Sequence, residues 1–294
     1  MMPMIVKRET TLRYIRERRC ESGGYCFYRL DEPNAGDTFY ALASLAMLGE
    51  VPYDDDATRA YLHTFQHQGG GFSNVHVGYA VIRSLDLFHE RPQIDPTAWI
   101  LASLIPPRST SRPVESTSLF DHQYLLTSLC TLLGIAIPPD KKAAIIRAML
   151  CNQHTDTGFG YQRSTILETA HALALLGMLG HPVSSTGSIT FLQHCEDPAY
   201  GFLAVPGARP PFLEHIHAGV LACSVLGYRS PVLPLCEEFI GKCCRENGGY
   251  VRSVFGGSTT LENTYLALDA LTRIPRIRTL PDTARAQRGS GAMS

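Results

Sequence analysis

Apolar residues recur along this chain as pairs of predicted helices, and the clearest pair lies near its middle. Every helical face is apolar between Thr169 and Leu179, which predicts a buried helix. Glu168 lies in its first turn, and Gly180 is a stop signal. It is preceded by an amphipathic helix, Lys141–Cys151, and by a turn that contains two glycines, Gly158 to Tyr161.

The same order of parts recurs six times, although the third copy lacks the glycine turn. The inner, apolar helices open about 45 residues apart, at Asp37, His76, Asp121, Glu168, Glu214 and Glu262. Outer amphipathic helices and inner apolar ones favour two concentric layers. We therefore predict one all-α domain over residues 8–274, an (α/α)6 toroid of six helical hairpins, with an open HEAT-like or TPR-like superhelix as the alternative. Periodicity ends after Ile274, so residues 275–294 are predicted to form a disordered tail.

Composition adds few constraints. The 294 residues are 45% hydrophobic and carry a formal net charge of -1, so nothing indicates a nucleic acid as partner. No apolar run approaches the length of a membrane span. The nine cysteines form no C-x-x-C pair, which argues against a zinc ribbon. We expect a cytoplasmic protein with reduced thiols.

The turns and the helix starts together resemble a known repeat. Glycine-aromatic turns such as Gly70-Gly71-Phe72 and Gly248-Gly249-Tyr250 precede helix starts such as Asp37-Thr38-Phe39-Tyr40. This combination resembles the repeat shared by protein prenyltransferase β subunits and by squalene–hopene and related class II terpene cyclases. The resemblance extends from Thr10 to Ile274. It implies an α/α toroid whose inner helix starts surround the mouth of an apolar cavity that holds an isoprenoid, and in some members a helical-repeat partner subunit.

Neither catalytic signature of that family is intact in this chain. In the prenyltransferases the resemblance implies a zinc site made of an Asp and a Cys two residues apart at one inner helix start and a His at the next. Asp37 and His76 would match two of these metal ligands, but Phe39 occupies the position of the thiolate. The cyclases carry an Asp-x-Asp-Asp run, and here Gly36 replaces its proton donor. A divalent metal, Zn or Mg, is therefore an open expectation at Asp37 and His76. Asp54, Asp55 and Asp56 open an outer helix and are predicted to face solvent.

Equivalent loops between the turns and the inner helices carry arginines. The expected set is Arg29, Arg163, Arg209 and Arg252, with Arg108 or Arg112 in the third loop. Guanidinium groups that converge on one rim would bind a diphosphate together with the helix N-termini. The alternative is that each arginine pairs with an acidic residue of an inner helix start.

Aromatic residues share one position of the inner helices. A tyrosine occupies it in four copies, as Tyr40, Tyr79, Tyr124 and Tyr265, and a histidine in two, as His171 and His217. These tyrosines would line the cavity and contact an isoprenoid chain or a carbocation. Packing with one hydrogen bond per hydroxyl is the alternative.

Two Glu-x-x-His pairs start adjacent inner helices, namely Glu168 with His171 and Glu214 with His217. Because this spacing puts both groups on one helical face, the four side chains are candidates for a metal site or a general acid–base pair. The alternative is that each histidine is satisfied by a neighbouring glutamate.

Three functions remain open at this point. The first is a prenyltransferase-like enzyme that binds an isoprenoid diphosphate in the cavity and transfers or processes the prenyl chain. The second is a small class II-type terpene cyclase with an atypical acid. The third is a non-catalytic module that binds an isoprenoid or lipid, or that serves as a scaffold. The recurrent arginines favour the first, because they predict an anionic ligand.

Overall fold

A computed structural model describes residues 7–28, 31–52, 55–104 and 118–280. Within them the helices alternate between an outer and an inner layer. The outer helices are α1 (Arg8–Arg16), α3 (Asp56–His63), α5 (Thr97–Ser103), α7 (Pro139–Leu150), α9 (Ile189–Cys195) and α11 (Leu233–Cys243). The inner helices are α2 (Ala35–Met47), α4 (Val75–Leu87), α6 (Leu119–Leu133), α8 (Ile166–Met178), α10 (Leu213–Leu226) and α12 (Leu261–Thr279). A 3₁₀ turn, Val183–Thr186, precedes α9.

Side-chain caps fix the starts of most inner helices. Asn34, Asn74, Thr165 and Thr260 each adopt an extended backbone and accept a hydrogen bond from the N–H three residues later. Such caps satisfy one of the N–H groups that a helix start leaves without a partner. The predicted acidic residues therefore lie in the first turn of every inner helix except α4, one or two residues after the helix start.

A buried threonine lies in the first turn of three inner helices, next to or near the acidic residue. Its hydroxyl accepts a hydrogen bond from the backbone N–H of the aromatic residue that follows the glycine turn. Thr38 does this for Tyr25 (3.0 Å), Thr169 for Phe159 (2.9 Å) and Thr264 for Tyr250 (3.3 Å). The turn of each of these repeats is thereby fixed to its own inner helix, with the aromatic ring buried in the core.

Each glycine turn also packs against the outer helix of the next repeat, and the last turn packs against the first helix. Thr58 on α3 donates to the carbonyl of Gly23 (2.5 Å), and Thr11 on α1 donates in the same way to the carbonyl of Gly248 (2.9 Å). The inner helices follow the same order, because each packs against the next and α12 packs against α2. The six hairpins therefore form a closed ring, and the predicted toroid is confirmed over the open superhelix.

The structure differs from the sequence prediction in two of the loops and at the end of α12. Two short antiparallel hairpins occur in the fifth and sixth loops: β1 (Glu196–Asp197) pairs with β2 (Gly201–Phe202), and β3 (Tyr250–Ser253) pairs with β4 (Gly256–Thr260). Helix α12 continues to Thr279, five residues past the predicted end of the domain, because Ile274 and Ile277 stay buried on either side of Pro275. Residues 281–294 lie outside the described residues.

The predicted surface helix around the three aspartates begins later than expected. Asp55 is its N-cap and accepts from the N–H of Thr58, whereas Asp54 lies outside the described residues. Among the helices in the described ranges, none combines the length and the apolar character that a membrane crossing requires.

The contact that closes the ring requires a glycine at position 248, and this requirement can be tested. Gly248 has a φ of +87°, and a Cβ there would collide with the backbone of Thr10 and Thr11 on α1. We expect Gly248→Ala to lower the free energy of unfolding by about 3 kcal/mol, from overpacking together with backbone strain. Gly134 has a similar φ of +70° but open space around it, so Gly134→Ala should cost only about 1 kcal/mol. Denaturant unfolding measures both, and equal losses would contradict the closed ring.

Candidate functional site

Four tyrosines form a belt on the inner face of the ring, one turn below the helix starts. This tyrosine belt consists of Tyr40, Tyr79, Tyr124 and Tyr265, which share one position of the inner helices. Each side chain keeps part of its surface accessible, yet burial raises the pKa of every hydroxyl. This combination is expected of side chains that border a narrow interior space, so the belt is the candidate wall of a central lumen.

Ring contacts join the belt to its neighbours. Phe39 lies 5.6 Å from Tyr79 and 5.3 Å from Tyr265, measured between ring centroids, and Tyr40 lies 5.4 Å from Tyr265. On the other side of the ring Tyr124 stacks on His171 at 4.8 Å. Aromatic rings therefore form much of the lumen wall at this depth.

An aspartate between two histidines lies at the mouth of the lumen. His76 Nε2 lies 2.8 Å from Asp121 Oδ2, and His171 Nδ1 lies 3.6 Å from Asp121 Oδ1. The hydrogen bond to Asp121 raises the pKa of His76, whereas burial lowers the pKa of His171. Burial alone would raise the pKa of Asp121, but the two histidines reverse this and hold it below its ordinary value. Near neutral pH, His171 is therefore an uncharged imidazole with a carboxylate beside it.

Each of the two expected metal ligands has a different partner. Asp37 Oδ2 accepts from the side chain of Asn34 (2.8 Å) and from the backbone N–H of Phe27 (3.3 Å). His76 pairs with Asp121, and Phe39 is buried among aromatic rings. In the described part of the chain, no group of three or more His, Cys, Asp or Glu side chains is arranged to hold a metal ion. This donor set does not fit zinc, which prefers three or four converging ligands with sulfur or nitrogen donors.

The expected Glu/His cluster does not form either. Glu168 accepts from Ser118 and Thr165, and Glu214 accepts from Arg252. The histidines instead pair with aspartates of other helices, His171 with Asp121 and His217 with Asp269 (2.7 Å). Each histidine therefore pairs with an acid on another helix and not with the glutamate at the start of its own helix.

The arginines of the loops have unequal surroundings. Arg252 donates to Glu214 through Nε (2.8 Å) and through an Nη, and it stacks over the ring of Phe212 at 4.1 Å. Arg209 pairs with Asp197 at 3.1 Å. Arg163 is exposed and forms no ion pair within the described residues. Arg29, Arg108 and Arg112 lie outside those residues. Two arginines thus follow the alternative of ion pairing, and Arg163 is the cation with no acidic partner there.

Sequence reasoning missed part of this site. Asp121 was recognised only as a helix start, and Asp269 and Arg273, further along α12, raised no hypothesis. Asp269 follows Tyr265 by four residues, one turn further along the lumen face, and this spacing is a signal that the sequence offered.

The ion pair at the mouth predicts a pH-dependent stability. Because the pKa of His76 is raised in the folded protein, protonation of its imidazole stabilises the fold. This contribution is complete at pH values below the ordinary pKa of histidine and is lost as the pH rises through the raised pKa. The lowered pKa of Asp121 gives a second stabilising contribution, which is present at pH values above the ordinary pKa of aspartate and is lost as the pH falls through the lowered pKa. We therefore expect His76→Gln to destabilise most near pH 5 to 6, by at most about 1 kcal/mol because the side chain is 52% exposed.

Denaturant unfolding at about pH 5.5 and 8.5 measures this difference. His194→Gln, on the surface of α9, is the matched control and should change little at either pH. A loss for His76→Gln that stays constant or grows with pH would contradict the pairing.

The comparisons with known proteins agree with this geometry. The family model for the prenyltransferase alpha-alpha toroid domain matches residues 3–85 and 101–274. No curated protein matches the sequence. Among solved structures, the chain is similar to Candida albicans protein geranylgeranyltransferase-I complexed with GGPP, with a TM-score of 0.73, 13% sequence identity and coverage of 96% of this chain and 94% of that chain. At this identity the likeness concerns the fold alone. By the match over most of its length, the chain belongs to the prenyltransferase alpha-alpha toroid family.

Proposed function

We propose that this protein is a prenyltransferase-like enzyme that binds an isoprenoid diphosphate in its lumen and transfers the prenyl chain to an acceptor. The observation that carries the proposal is the tyrosine belt on the inner wall of a closed ring. Aromatic faces provide a large apolar contact area for a prenyl chain and attract a developing carbocation. The solved relative has GGPP bound, which supports the same use of this fold.

The diphosphate would lie at the mouth, between α8 and α10. Arg163 precedes α8 and lacks an acidic partner within the described residues, and Arg252 lies over Phe212, the N-cap residue of α10. Helix α10 has no side-chain cap, so the N–H groups of Leu213 and Glu214 at its start would be the donors to phosphate oxygens. A diphosphate bound there would replace the Glu214 carboxylate as the partner of Arg252.

The transfer step requires a base close to the prenyl C1 atom. The bond between C1 and the diphosphate oxygen breaks, a bond from the acceptor nucleophile to C1 forms, and the diphosphate leaves with the electron pair. His171 is suited to take the proton of the acceptor, because burial keeps its pKa low and its imidazole uncharged. Tyr124, stacked on this imidazole, and Asp121 beside it fix its orientation. The acceptor is a nucleophile that reaches the mouth.

Calorimetric titration with geranyl diphosphate, followed by an assay of released diphosphate, tests the proposal. We expect the protein to bind the ligand and Arg163→Met to weaken binding by about 10-fold, because a charge-assisted contact to phosphate contributes about 1.5 kcal/mol. Arg229→Met is the control, since Arg229 is exposed at the opposite rim, after the end of α10. Both variants should retain the wild-type melting temperature.

The outcomes separate the three functions that the sequence leaves open. Release of diphosphate with formation of a prenylated product supports a transferase. Conversion of a polyprenyl substrate with its diphosphate retained would indicate a cyclase, and binding without turnover would indicate a carrier. If no prenyl diphosphate binds at all, the proposal is wrong.

A further inference from the structure

A group of charged side chains begins at the level of the tyrosine belt and extends below it, and the proposed transfer step does not use it. We name it the charged band, and it consists of Arg83 on α4, His217 on α10, and Asp269 and Arg273 on α12. Arg83 and Asp269 each follow a belt tyrosine by four residues, so they lie on the same face one turn deeper.

Three members of the band form a compact network. His217 Nε2 lies 2.7 Å from Asp269 Oδ2, and Arg273 donates to the same oxygen from Nε at 2.6 Å. Burial would raise the pKa of Asp269, but the imidazole and the guanidinium outweigh it and hold that pKa below its ordinary value. The carboxylate therefore stays ionised, and the network remains polar at any physiological pH.

Arg83 adds a positive charge from another side of the ring. Its guanidinium lies 5.9 Å from the ring centroid of Tyr79, and it forms no ion pair within the described residues. Arg83 is half-buried and has no carboxylate partner in that part of the chain. Its guanidinium must therefore be solvated by water or by a polar ligand group in the lumen.

These charges face one another across the lumen. Helix α12 packs against α10 and α2, whereas Tyr124 belongs to α6 on the far side of the ring. Burial raises the pKa of Tyr124, and the guanidiniums of Arg273 and Arg83 oppose that shift. Groups on α4 and α12 thus act on one hydroxyl of α6, which requires that they border a common interior space.

We propose that the charged band ends the apolar part of the lumen and makes the site selective for short prenyl diphosphates, of five or ten carbons. This inference rests on the proposed function, because it assumes a diphosphate at the mouth. His76 and Glu262 at the mouth each precede a band residue by seven positions, Arg83 and Asp269. At 1.5 Å per residue the apolar segment is about 10 Å deep.

Chain dimensions decide which prenyl groups fit this depth. An extended carbon chain advances about 1.2 Å per bond, so geranyl spans about 8 Å and farnesyl about 13 Å from C1 to the far end. Geranyl therefore ends above the band. Farnesyl and geranylgeranyl would press hydrocarbon against Arg83 and the network, which removes water from charges without replacing its hydrogen bonds.

Titration of the full-length protein with dimethylallyl, geranyl, farnesyl and geranylgeranyl diphosphates tests the inference. We expect geranyl diphosphate to bind at least 10-fold more tightly than geranylgeranyl diphosphate. Affinity that rises steadily with chain length would overturn the inference and leave the proposed function intact. Absence of binding at every length would overturn both.

A variant tests whether Arg83 is responsible. Arg83→Leu should strengthen binding of farnesyl diphosphate about 10-fold and leave that of geranyl diphosphate within 2-fold, because the added hydrocarbon then meets an apolar wall. Arg147→Leu, on the exposed side of α7, is the matched control and should change neither affinity. If Arg83→Leu folds and shows the wild-type preference, the role of the charged band is refuted. If it does not fold, Arg83→Met and the wild-type series decide the question.

Discussion

The structure depends on the contact between its last glycine turn and its first helix. Thr11 donates to the carbonyl of Gly248 in the way that Thr58 donates to that of Gly23, so the sixth repeat meets the first as if the chain were continuous. Without this contact, one side of α2 and one side of α12 would be exposed to water. Closure buries both and gives six inner helices with all their N-termini at one rim.

Contacts between consecutive repeats determine the electrostatics of the mouth. Every inner helix except α4 brings a carboxylate to the rim in its first turn, where a basic side chain of a neighbouring repeat can reach it. The pair Arg252 and Glu214 is one result, and the pair His76 and Asp121 is another. The mouth is therefore a mixture of ion pairs, with Arg163 as a cation that lacks an acidic partner within the described residues. Further inside, the apolar wall gives way to charge at Arg83 and Asp269.

The sequence predicts the fold better than it predicts the site. Helix starts, the two layers and the tyrosine belt follow from periodicity, because burial imposes it on every repeat. Pairings between repeats do not follow: Asp269 meets His217 across two helices, and Asp121 lies between histidines of two others. The end of α12 was also missed, since Pro275 is normally a break but here lies between two buried isoleucines. A single repeat predicts its own helices but not the partners that the packing of neighbouring repeats brings near.

A crystal structure of the protein with geranyl diphosphate tests the central claim most directly, namely that the ring encloses an apolar lumen with a polar floor. The account predicts the diphosphate at the helix starts near Arg163 and Arg252, the prenyl chain along the tyrosine belt, and its end above Arg83 and Asp269. A ligand bound outside the ring, or a prenyl chain that runs past the charged band, would contradict it.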